Sequence, residues 1–426
     1  MLPTYFVLVY LLLFLGIAYW LQRKWQWFSA MPFTLIAGAL VLKYLVGCGY
    51  GYLFWAVYKG DDTWLYHQLS LAEYALLKQS PIAFVQDLFV HPYHESQAGT
   101  LFNSHQSFWK DLQYNLLLKL LGICNVASRG NYYINVLFFN AITFWGHYYL
   151  YALLEAIFPN SKRVLLACVF LFPPLLFWQS GIRKDGLVFT ALCGCLYYCY
   201  QWCETKGNWQ HALKALLFFV GLFLVRNFVA LSLLPALLAY FVCTKGQVKA
   251  TGWVFGIVFT ISAGVFFAST LGPEAWNLPK KMAERQEKFL ELQGGSYMPI
   301  DNLAPTIGSY VRTFPTAWNH VWLRPYLTEG RSALLLFAAL ETWGTLALLL
   351  LSLWWWRNWW TALRMPAVAM LLSIVLLNYT MIGYTVPFAG AIVRYRVVFE
   401  VVLVCLGITL IGESKWRAST HRNTTL

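Results

Sequence analysis

The sequence predicts an all-α protein, a polytopic bundle of about eleven transmembrane helices with amphipathic surface helices in a long first outer loop. Three observations carry this. Of 426 residues, 59% are hydrophobic and only 12% charged, and mean hydropathy is +0.54; a soluble chain of this length needs more polar surface. Apolar runs of roughly 17–25 residues recur from end to end, each long enough to cross a bilayer as a helix. The 21 Trp, 26 Tyr and 31 Phe suit the aromatic belts of membrane interfaces.

In order, the apolar runs fall near 4–21, 32–57, 132–157, 163–180, 186–203, 210–225, 228–243, 252–271, 333–353, 365–386 and 397–412. The first lacks the basic n-region and small-residue cleavage site of a signal peptide, so it is expected to stay as a span. The pair 210–225 and 228–243 is short enough to be two half-helices. The whole chain, 1–426, is expected to form one integral membrane domain. Two segments are too long and polar to be connectors. In 58–131, "WLYHQLSLAEYALLKQ" and "FWKDLQYNLLLKLLGI" carry helical periodicity and are expected to lie on the membrane surface. In 272–332, the charged helix "EAWNLPKKMAERQEKFLEL" precedes "GGSYMPIDNLAP", expected to be flexible. The chain shows no internal repeat.

Net charge is +13, and its placement points to topology, not nucleic acid. Arg23, Lys24, Lys162, Arg163, Lys206, Lys214, Lys245, Lys249, Arg357, Arg364, Lys415, Arg417 and Arg422 fall on one side of the expected spans, against Glu204 and Glu413. Positive-inside reasoning makes that side cytoplasmic and puts both long segments outside. The Asn423 sequon then lies inside and is not a glycosylation site. Most of the nine cysteines lie in apolar runs without metal-ligand spacing, so Cys193-x-Cys195 reads as packing.

Polar chemistry gathers on the outer side. Asp61 and Asp62 follow the second span in "GDDTWLYHQ", beside Trp64, Tyr66 and His67. Asp62 can cap a helix starting at Thr63. Alternatively, a carboxylate half-buried against aromatics at the lipid–water boundary can serve as a general base. "SGIRKDG" places Arg183, Lys184 and Asp185 at a turn. Arg226, Arg324 in "WLRPYLTEGR", and Arg394 and Arg396 in "GAIVRYR" repeat the theme in other outer loops. With no matching acidic set in view, they read as phosphate ligands, against lysine and arginine snorkelling to lipid headgroups. "HPYHE" offers His91, His94 and Glu95, which suit substrate hydrogen bonding better than metal, because the spacing is no zinc signature. Lys43 and Glu341 sit within spans as unassigned ion-pair partners. "WWWRNWW" reads as an interface belt.

A span, an acidic–aromatic motif at its outer end and a long first loop with surface helices resemble the GT-C class of membrane glycosyltransferases. The "RYR" stretch looks like one common in polysaccharide-assembly membrane proteins. Here the acidic motif follows the second span, where the class usually places it after the first. The resemblance implies transfer of a sugar from a polyprenyl-(di)phosphate donor to a glycan, lipid or protein acceptor at the outer, periplasmic or lumenal face of a membrane, most simply the bacterial inner membrane. Asp61 or Asp62 would be the catalytic base, with Asp61 slightly preferred. Arg183, Lys184, Arg226, Arg324, Arg394 and Arg396 would hold donor phosphate, and Tyr66, His67, His91, His94, Glu95 and Asp185 would contact substrate. No cofactor is required, though a divalent metal is compatible. The rivals are a surface-polysaccharide polymerase or ligase relying on the arginines, and a transporter or flippase of an anionic lipid or solute.

Overall fold

A computed structural model describes residues 6–90, 108–205, 208–330 and 332–412. Among the described residues the regular secondary structure is helical, apart from one isolated bridge between Tyr297 and Phe388. Contacts divide the chain into two compact units. The first comprises Met1–Leu153, Phe170–Trp202 and Asn208–Asn227; the second comprises Leu154–Val169, Cys203–Gly207 and Phe228–Leu426.

The chain begins with the apolar helices α1 (Phe6–Trp25) and α2 (Phe33–Ala56). The amphipathic α3 (Asp62–Gln79), the short α4 (Pro81–Gln86) and α5 (Phe108–Ser128) follow. Next come α6 (Tyr132–Ile157), α7 (Lys162–Leu171), α8 (Pro173–Ser180) and α9 (Lys184–Glu204). Helix α10 (Trp209–Lys245) leaves helical geometry at Arg226 (φ −154°, ψ 82°), so it is two helices meeting at a kink, broken where the runs 210–225 and 228–243 were expected to separate. The second unit continues with α11 (Thr251–Ala268), α12 (Leu278–Leu290), α13 (Ile307–Trp322), α14 (Ala333–Leu353), α15 (Trp356–Leu363), α16 (Pro366–Thr385) and α17 (Ala389–Gly412).

Among the described residues, six helices are long and apolar enough to cross a membrane: α1, α2, α10, α11 with its 3₁₀ extension, α14 and α16. A seventh is added if the broken pair Pro159–Leu171 and Pro173–Ser180 counts as one span. The remaining long helices carry polar residues inside them, such as Asn135, Asn140 and His147 in α6 and Arg396 and Glu400 in α17. Large apolar side chains point outward in rows: Leu8 and Leu12 on α1; Trp253, Ile257 and Ile261 on α11; Phe337 and Leu340 on α14. Such faces are stable only against lipid or protein. The chain is an integral membrane protein.

In the first unit α3 does not bury its leucines. Thr63, Tyr66, His67 and Ser70, spaced at helical intervals, face inward, while Leu65 and Leu69 are exposed. The inward face is satisfied by a polar network. Asn125 Nδ2 donates to the Ser70 carbonyl and hydroxyl at 3.2 and 2.9 Å, and Asn135 Nδ2 donates to Asn125 Oδ1 at 2.7 Å. The approach of α2 to α8 depends on Gly47 and Gly181. A Cβ on Gly47 would lie 2.5 Å from the Ser180 carbonyl oxygen, and one on Gly181 would lie 2.6 Å from the Tyr50 ring. Lys43, left unassigned by the sequence, donates to the Gln179 carbonyl across the same contact.

In the second unit the stretch expected to be flexible is pinned. The Gln286 amide donates to the carbonyls of Asp301 and Tyr384 at 3.1 and 2.9 Å and accepts from Leu303 N at 2.7 Å. Met298 N donates to the Pro387 carbonyl at 2.8 Å and is almost fully buried. One buried amide supplies partners that a turn-rich stretch cannot give itself, a long-range effect invisible to turn propensity.

Candidate functional site

The candidate residues fall into one cluster in each unit. In the first, α2 ends at Ala56, Lys59 adopts φ 53°, and α3 starts at Asp62. Asp61 is the N-cap residue and makes no side-chain cap bond. Neither aspartate serves as the cap the sequence allowed, because both carboxylates turn to Arg183. Arg183 Nη1 lies 2.7 Å from Asp61 Oδ2, and Nη2 lies 2.9 Å from Asp62 Oδ2. The Tyr50 hydroxyl donates to Asp61 Oδ2 at 2.9 Å and also meets the guanidinium. Asp185, one residue into α9, stands 3.9 Å from Arg183 Nε. Arg226 Nη2 lies 3.0 Å from Asp185 Oδ1, an ion pair supplied by the kink in α10.

Two guanidiniums thus face three carboxylates. The exposure is graded: the Arg183 and Asp185 side chains are 3% exposed, Asp61 is 15% and Asp62 is 45%. Burial pushes the Asp61 carboxyl above its ordinary range. Arg183 opposes that shift and the neighbouring Asp62 charge adds to it. Lys184 lies beside the cluster, its ammonium 4.8 Å from the Tyr114 ring centroid and 5.9 Å from that of Tyr66. Tyr66 is therefore brought to this cluster. His67 is turned away into the polar core beside Asn135, where burial pushes it down to about 4 and a backbone bond near Gly130 opposes that. Its polar partner there is an amide of the protein's own core.

The second cluster is built on α17. Arg394 and Arg396 lie inside a helix that begins at Ala389 and not in a loop, so the expected start near 397 is corrected. Arg396 is fully buried. Its Nε donates to Glu400 Oε2 at 3.2 Å, and Nη1 donates to the carbonyls of Val321 and Arg324 at 3.0 and 3.1 Å. Nη2 meets the Thr342 hydroxyl, and Glu341 stands 3.9 Å from that nitrogen. Arg324 pairs with Glu329 at 2.9 Å. Arg394 Nη2 donates to the Tyr395 hydroxyl at 2.8 Å.

The expectation of arginines without acids is thus overturned. Arg183 and Arg226 have carboxylate partners from distant parts of the sequence, while Arg324 pairs with Glu329 in its own loop and Arg396 with Glu400 one turn along its own helix. As phosphate ligands, Arg183 and Arg396 are already committed elsewhere. Sequence reasoning missed Tyr50, Tyr114, Thr342, Tyr379 and Glu400. Only Glu400 left a signal, the Arg–Glu spacing of four on one helix face. His91, His94 and Glu95 lie outside the described residues. Among the described residues no group of three or more His, Cys, Asp or Glu could hold a metal ion. Comparison with protein-family models, curated proteins and solved structures finds no match.

Proposed function

We propose that this chain is a membrane glycosyltransferase of GT-C type, using a polyprenyl-(di)phosphate sugar donor and a hydroxyl acceptor on a glycan, lipid or protein. The observation that carries the reading is the graded aspartate pair at the end of α2. Asp61 is the less exposed of the two and is held by Arg183 and Tyr50, while Asp62 shares the same guanidinium and is half exposed. A base needs both a fixed position and access to its substrate, so Asp62 now becomes the preferred base and Asp61 the positioning residue. The acceptor oxygen bonds to the anomeric carbon as the bond from that carbon to the phosphate oxygen breaks. The acceptor proton passes to Asp62 and the prenyl (di)phosphate leaves. Lys184, held over tyrosine rings beside the pair, supplies positive charge for the phosphate. Arg183 acts through the carboxylates. About eleven spans, an outward-facing site and the bacterial inner membrane complete the proposal, on the basis of the Lys and Arg placement.

The test is product formation by purified protein with a lipid-linked sugar. Asp62→Asn should cut turnover sharply while donor binding persists, since proton transfer is lost and phosphate contacts are not. Full activity in the Asp61→Asn, Asp62→Asn double variant would remove carboxylate catalysis. The arginine-based polymerase draws less support, because Arg183 and Arg396 are spent on partners within the protein. A transporter draws support from one observation, the ionic cluster buried among the helices of the second unit.

A further inference from the structure

Helix α14 carries Glu341 and Thr342, and α17 carries Arg396 and Glu400 one turn apart. Arg396 serves Glu400, two backbone carbonyls and Thr342. Glu341 comes only to 3.9 Å of the guanidinium, too far for a hydrogen bond. Its side chain is 9% exposed, and its Oε1 is buried without a hydrogen-bond partner. Glu341 and Glu400 face the same guanidinium, on its Nη2 and Nε sides respectively. Tyr379 of α16 is the other titratable group facing the pair. Arg324, beyond the end of α13, contributes its carbonyl here, while its guanidinium pairs with Glu329.

Two carboxyls therefore share one guanidinium in an apolar interior. Two carboxylate oxygens have no hydrogen between them to share, and a carboxylic acid donates where a carboxylate can only accept. An uncompensated second charge so far from water is costly. Glu400 is hydrogen-bonded by Arg396, and Glu341 is left without such a bond.

We propose that Glu341 and Glu400 form a proton-binding site inside the second unit, with one proton held between the two carboxyls and Arg396 as the fixed counter-charge. A small cavity bounded by Trp322, Thr342, Tyr379, Arg396 and Glu400 adjoins it, with room for about one water to relay the proton. Because the carboxyls come from different helices, losing the proton sets like charges against each other across the α14–α17 contact. Proton occupancy therefore controls how closely these two helices pack.

Infrared spectroscopy of the full chain in lipid nanodiscs tests this without reference to enzymatic activity. At pH 7 the protein should show the C=O stretch of a protonated carboxyl. Glu341→Gln should remove that band and keep the fold, because Gln mimics the neutral acid. Glu400→Gln should remove it too, since Glu341 then ionises against Arg396. Glu329→Gln should leave it unchanged. Absence of the band, its survival in Glu341→Gln, or its replacement by a carboxylate signal that depends on sodium or potassium would overturn the proposal. If Glu341→Gln fails to fold, the unaltered protein decides: a hydrophobic carbodiimide, which reacts with protonated carboxyls, should modify Glu341. Modification confined to other carboxyls would overturn it.

Discussion

Arg183 and Arg396 are both buried arginines that face more than one carboxylate, yet they sit in different chemical settings. Arg183 lies between helices, and its partners grade from fully buried Asp185 to half-exposed Asp62. Arg396 lies inside α17, and its partners are two backbone carbonyls, a threonine and glutamates, all shielded from solvent. The first arrangement delivers an oriented carboxylate to water. The second ties the chain after α13 to α14 and α17, and its charge has no outlet except a proton. Buried ion pairs are weak evidence for stability; what differs here is whether one partner can still meet a substrate.

The sharpest break between the two clusters should be catalytic. Asp62→Asn is expected to cut turnover by roughly 10²–10⁴, the range for a lost general base, while Glu341→Gln leaves turnover within about twofold of the unaltered chain. Steady-state product formation measures both. Equal losses would erase the distinction.

Stability should separate them in the opposite sense. Arg396→Ala leaves Glu400 and two carbonyls unserved in the interior and should cost about 3–5 kcal/mol. Arg183→Ala leaves carboxylates that partly reach water and should cost about 1–3 kcal/mol. Denaturant unfolding of the two variants in matched detergent ranks them, and a larger loss at Arg183 would reverse the comparison.

Each unit also carries a histidine held neutral, and this predicts a shared pH response. Burial pushes His67 and His320 down to about 4, with Arg324 adding to the shift at His320. The folded state therefore binds fewer protons than the unfolded state between the ordinary histidine range and pH 4. The stability they contribute is complete above about pH 6.5 and is lost as pH falls toward 4. For His67 the loss is at most about 3 kcal/mol. His67→Gln should flatten the melting-temperature profile over that interval; an unchanged slope would show that the histidine is charged in the fold.

A loss similar in size to that of Arg183→Ala is expected at the α2–α8 approach that positions Tyr50 and Arg183. Gly47→Ala forces a Cβ against the Ser180 carbonyl and should cost roughly 1–3 kcal/mol. It should also lower turnover more than it lowers donor binding. Gly49→Ala, with open space around it, is the matched control and should leave both unchanged.

The sequence by itself determined the helices and their membrane character. Long apolar runs need internally bonded backbones in lipid, and that constraint is local and additive along the chain. It also flagged Asp61, Asp62, Arg183 and Arg396, because charges beside or within apolar runs stand out. It could not assign their roles. Asp61 meets Arg183 across 122 residues and Arg396 meets the Val321 carbonyl across 75, and no periodicity encodes such distances. Tyr50 and Tyr379 left no trace, because an aromatic residue inside an apolar run looks like packing. The start of α17 was misplaced for a related reason: charged residues read as loop until a buried partner is known. Only tertiary structure decided which cations were already neutralised, since the cost of a buried charge depends on what stands within hydrogen-bond reach and not on what lies nearby in sequence.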